Sequence, residues 1–167
     1  MAKGLDFSFD DVNESGFVVI RPGRYIGKVT DWRFYTKEDT GNDLFQIEFE
    51  LVGGDYAGET IRMWRKVDKS TRTSLFRLYK NLGLIRDGDR TDDDKLNVTA
   101  LFGETDDKGK VAITKLVVNG EERPVIGAKG TLVIVEDRNQ DGEKTHSIKY
   151  VDALSVTPDG DTSDLPF

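Results

Sequence analysis

The sequence predicts a mainly β domain: a five-stranded barrel with one helix between strands 3 and 4 and a β-rich insert. Three observations carry this expectation. Phe45, Ile47, Phe49 and Leu51 alternate with Gln46, Glu48 and Glu50, the period of a strand with one buried face. Leu75, Phe76, Leu78, Tyr79 and Leu82 recur at helical spacing, and Gly83 follows as a terminator. Three extended segments precede that helix, and two clear ones lie beyond it.

Residues 1–16 are polar with scattered apolar positions and read as a flexible arm ahead of a domain spanning 17–156. Strand character opens at Phe17-Val18-Val19-Ile20, and Pro22-Gly23 makes a turn into an extended run over 24–36. Its apolar parity changes part-way, with Tyr25, Gly27 and Val29 on one face and Ile26, Trp32 and Phe34 on the other. An extra residue flips every later side chain, so a bulge or bend is expected at Gly27. Lys37 to Asn42 is a polar loop, and Gly53-Gly54-Asp55 a turn. A third strand covers 59–67, and a helix covers 70–82, capped by Asp68 or Ser70. The insert, about 86–126, begins with an acidic loop and contains a hairpin closed by Asn119-Gly120 in a primed turn. Strands at 130–136 and 146–156 complete the domain, and 157–167 is an acidic tail.

Composition narrows the function classes. No run approaches 18 uninterrupted apolar residues, so no membrane-spanning helix is expected. The N-terminal segment has no basic stretch followed by an apolar one, and no secretion signal is read. The chain has no cysteine, which removes disulfides, thiolate nucleophiles and sulfur-ligated metals and fits a cytoplasmic location. The single histidine, His146, precedes a strand and reads as a solvated loop residue. The acidic loop of Asp87, Asp89, Asp92, Asp93 and Asp94 lacks the calcium-loop spacing and reads as solvated too. No catalytic residue, metal ligand or cofactor site is expected, and the chain is read as a non-enzyme.

The net charge of −7 at pH 7 is unevenly spread. Between Arg62 and Lys80 seven basic residues stand against a single acid, Asp68. Around them lie aromatic rings: Trp32, Phe34 and Tyr35 beside Arg33 and Lys37, and Trp64 between Arg62 and the pair Arg65 and Lys66. Flat rings stack bases while cations follow phosphates, so these nine residues are candidates for single-stranded nucleic acid. The other reading is that Trp32, Phe34 and Trp64 fill the core. On the third strand Arg62, Trp64 and Lys66 share one face, opposite Ile61 and Met63. In the tail, Asp161 and Asp164 precede Leu165, Pro166 and Phe167, a combination suited to an apolar pocket with a basic rim.

Strand and helix order matches an OB-fold barrel. Asp164-Leu165-Pro166-Phe167 resembles the C-terminal tip of bacterial single-stranded DNA-binding proteins. Pro22-Gly23-Arg24-Tyr25, Thr36 to Gly41, the strand from Phe45 to Leu51, Tyr56-Ala57-Gly58 and the helix-closing Leu82-Gly83 resemble phage-encoded single-stranded DNA-binding proteins with an OB-fold. The resemblance implies sequence-tolerant binding of single-stranded DNA in phage replication and recombination, in the host cytoplasm. It also implies that the tip recruits replication or recombination proteins. A homo-oligomer is compatible with it, and the alternative is an OB-fold protein-interaction module that binds no nucleic acid.

Overall fold

The computed structural model describes residue 4 and residues 8–154. The tail expected at 157–167, with Asp161, Asp164, Leu165, Pro166 and Phe167, lies outside the described residues. Eight strands form one sheet: β1 (Gly23–Thr36), β2 (Asp43–Leu51), β3 (Thr60–Lys66), β4 (Val98–Thr105), β5 (Val111–Val118), β6 (Glu121–Pro124), β7 (Lys129–Arg138) and β8 (Lys144–Asp152). Every ladder between them is antiparallel. The one α-helix, α1 (Arg72–Asn81), falls between β3 and β4 as expected. A 3-10 turn, Lys69–Thr71, leads into it, and Asp68 caps this turn by accepting from the Thr71 amide while Thr71 Oγ1 accepts from the Asp68 amide.

β1 organises the sheet because its two halves serve different neighbours. Its first half pairs with β7, from Gly23 opposite Ile134 to Lys28 opposite Lys129, and its second half meets β5 at Arg33 and Phe34. Along most of its length the other edge pairs with β2. The parity change forecast in the sequence is real. Its site is Thr30, where the register shifts between Val29 and Asp31, three residues beyond the expected Gly27. Before the bulge Gly27 and Val29 face inward; after it Trp32 does.

Gly27 does a different job. It lies opposite Gly130 of β7, and a Cβ at Gly27 would sit 2.6 Å from Leu132 Cδ1. A Cβ at Gly130 would meet Val151 and Leu82. The paired glycines let β1 and β7 approach the layer formed by Leu132, Leu82 and Val151. Gly27→Ala is expected to destabilise by about 1–3 kcal/mol through overpacking. Leu132→Val should recover part of that loss in the double variant, measured by urea denaturation; strict additivity would show that the clash is not the cause.

The core lies between the inner face of the sheet and α1. Trp32, Phe45, Ile47, Phe49, Met63, Leu132 and Ile134 from the strands meet Leu78 of α1 and Leu82 at its C-cap. The insert joins the same core through Ile113, Leu116 and Val118. Asn119 and Gly120 both have positive φ, 48° and 86°, as a primed turn requires, and this turn links β5 to β6.

The sheet stays open, which overturns the closed five-stranded barrel. Ladders run from β8 through β7, β1 and β2 to β3, but β3 and β8 share none. What crosses between them is a hydrogen bond from Arg65 Nη2 to the Lys149 carbonyl at 3.4 Å. A long cationic side chain turned inward on an edge strand opposes backbone pairing at that edge. Asn81, at the end of α1, takes the Val151 carbonyl of β8 at 2.9 Å. The helix and one arginine thus occupy the seam where an OB-fold would close, and the resemblance to OB-fold DNA-binding proteins fails at this point.

Candidate binding surface

Strand pleating puts alternate residues of β1, β2 and β3 on the outer face, and their registers set the rows. Trp64 lies opposite Gln46, which lies opposite Arg33. On one side of that row Arg62, Glu48 and Asp31 are aligned; on the other, Lys66, Leu44 and Tyr35. Gln46 is the centre. Its Oε1 accepts from Trp64 Nε1 at 3.3 Å and from Lys110 Nζ at 2.9 Å, and Lys110 Nζ stands 4.7 Å from the centre of the Tyr35 ring. One hydrogen bond, to a glutamine oxygen that also accepts from Lys110, therefore orients an indole that is 49% exposed.

The face is electrically balanced. Arg62 Nε reaches Glu48 Oε2 at 3.3 Å, Arg33 Nε reaches Asp31 Oδ1 at 3.1 Å, and Lys66 Nζ reaches Asp68 Oδ2 at 3.2 Å. Thr30 Oγ1 donates to Glu48 Oε1, holding that carboxylate in place. The charge read from the sequence as a basic track is thus interleaved with acids from β1, β2 and the turn before α1.

The nine expected site residues divide. Arg33, Tyr35, Arg62, Trp64 and Lys66 come together on the outer face, and Lys37 lies exposed just past the end of β1. Trp32 does not join them. It is buried to 1% exposure, edge-on to Phe45 at 5.4 Å and tilted on Tyr79 at 6.1 Å. Phe34 also turns inward, toward Phe45, and stacks on Phe102 of β4 with centroids 5.4 Å apart. Arg65 points into the seam beside β8. Gln46, Lys110 and Asp31 were missed by sequence reasoning, whereas Glu48 on the polar face of β2 was read as favouring a protein-interaction module. The parity of Gln46 placed it with the polar face of β2, but its place opposite Trp64 came only with the register of β2 and β3; Lys110 carried no signal.

No family model matches this chain, and no curated protein does.

With the barrel open and Arg33, Arg62 and Lys66 matched by carboxylates, the groove required by the single-stranded DNA reading is not formed, which overturns that reading. His146 is also relocated: it lies within β8, and its Nδ1 accepts the Ile20 amide at 3.0 Å. Burial pushes its pKa down from the ordinary value, although Glu59 opposes this, so the neutral acceptor is favoured. The acidic loop is not wholly solvated either. Asp89 Oδ1 and Oδ2 receive Arg123 Nη2 and Nη1 at 2.9 and 2.7 Å. No three His, Asp or Glu side chains gather as a metal site among the described residues, and no helix there is long and apolar enough to cross a membrane.

Proposed function

We propose that this chain is a non-catalytic protein-binding module whose contact surface is the outer face of β1, β2 and β3, centred on Trp64. One observation carries the reading: an exposed, hydrogen-bond-oriented indole surrounded by cations that already hold carboxylates. A polyanion draws its affinity from uncompensated cations and the counterions they release. Here any phosphate near Arg33 or Arg62 would also meet Asp31 or Glu48. A protein surface offers both signs together with apolar groups, and tryptophan is enriched among the residues that dominate such contacts. Gln46 reduces the rotamer freedom that Trp64 would otherwise lose on docking.

A benzophenone amino acid at Lys66, beside Trp64, tests this in the cells that make the protein. Irradiation is expected to yield discrete protein adducts that Trp64→Ala abolishes. With the partner in hand, that variant should bind at least about 30-fold more weakly, while its melting temperature stays near that of the parent. The reading fails if only nucleic acid is captured. Saturable oligothymidine binding that depends on Trp64 would sink it equally.

A further inference from the structure

The seam between β3 and β8 is a cleft of about 410 Å³ roofed by α1. Its floor is Met63 and Leu78, and its walls carry Arg65, Arg77 and Lys149. Among the described residues no carboxylate lines it. In this acidic chain seven of the eleven arginines have a carboxylate oxygen within 4 Å. Arg65 and Arg77 have none among the described residues, nor does Lys149. Arg65 is also half-buried, and burial pushes its pKa below the ordinary arginine value. A partly desolvated guanidinium that, among the described residues, is satisfied by two backbone carbonyls, those of Trp64 and Lys149, gains from a counter-charge.

Geometry points the same way. Ser74 and Arg77 are three residues apart on α1, so both project from the same face of the helix into the cleft. The Ser74 hydroxyl has no hydrogen-bond partner among the described residues, which leaves it free to donate. Ser74, two arginines and a lysine thus line one space with an apolar floor. Planar, multi-donor guanidinium groups match a tetrahedral oxyanion with several acceptor oxygens. We infer that this cleft is a binding site for a phosphate group, held by Arg65, Arg77, Lys149 and the Ser74 hydroxyl. The site is separate from the Trp64 face and does not depend on how that face is used.

Inorganic phosphate and pyrophosphate, titrated into the full chain against chloride at matched ionic strength, test the inference by amide chemical shifts. Saturable shifts are expected at Ser74, Arg77 and Lys149, tighter for pyrophosphate, with the Trp64 indole resonance unmoved. Both Arg77 and Lys149 are exposed, so Arg77→Gln/Lys149→Gln should fold normally, shown by an unchanged circular dichroism spectrum. Its phosphate affinity should fall at least about tenfold. Shifts that do not saturate, or that chloride reproduces, overturn the site. So does a double variant that binds like the parent. If removing residues 155–167 moves the same resonances without phosphate, the chain's own acids fill the cleft and the inference falls.

Discussion

Trp32→Ala is expected to lower the melting temperature by roughly 6–20 °C, the equivalent of a loss of about 3–5 kcal/mol in a chain of this size. Trp32 is the largest fully buried side chain, and it touches both layers, Phe45 from the sheet and Tyr79 from α1. Removing it leaves a cavity that neither layer can close, because both are anchored elsewhere. One detail sharpens the test. The Trp32 Nε1 is buried with no hydrogen-bond partner among the described residues, so there the parent carries an unsatisfied donor. Trp32→Phe removes that donor while keeping a ring, and it should cost far less than alanine. A melting curve for each variant decides it; similar losses for both would show that the indole packs loosely. Either result bears on the sequence-based proposal that this residue stacks on a ligand.

Arg123→Ala carries the second large effect, a fall of roughly 4–10 °C in melting temperature. Arg123 is buried, and its guanidinium binds Asp89 through two nitrogens, Glu121 through Nε and the Leu84 carbonyl at 2.7 Å. It ties the β5–β6 hairpin to the segment that leaves α1. Without it, the Leu84 carbonyl and the Asp89 carboxylate lose their donors together. The same bridge predicts a pH dependence. The Arg123 hydrogen bonds, followed by the Arg86 amide, hold the Asp89 carboxyl at about 2 against an ordinary 3.8. The folded state therefore favours the ionised form, and the contribution is complete above about pH 4. It is lost as pH falls from 4 through 2. Arg123→Ala should flatten that part of the stability profile, measured by chemical denaturation between pH 2 and 6. An unchanged slope would place the acid sensitivity elsewhere.

Local period was legible in the sequence, and long-range register was not. The alternation from Phe45 to Leu51 marked β2, and the spacing from Leu75 to Leu82 marked α1, because both patterns repeat within a few residues. The parity change in β1 was also readable, but the glycine that looked like its cause serves a close approach to Leu132 instead. Closure of the sheet depends on whether β3 meets β8, about 80 residues apart along the chain. No local feature encodes that, and Arg65 at the edge of β3 works against it. The site shows the same division. Arg62 and Trp64 were correctly placed on one face by alternation, yet the partner of Arg62 is Glu48, found only once β2 and β3 are in register. Arg123 gave no signal, since Glu-Glu-Arg-Pro in a short hairpin reads as ordinary surface.

The division of β1 between two partners has a kinetic consequence. Its second half can pair with β2 as soon as residue 51 is made, whereas its first half must wait for β7, with Lys28 meeting Lys129. During synthesis the segment around Tyr25 and Ile26 therefore remains an unpaired edge until most of the chain has emerged. Contacts this distant along the chain place refolding in the slow, millisecond-to-second class of β proteins. The last strands to arrive, β7 and β8, are then the ones that retire the hazard of strand-to-strand aggregation.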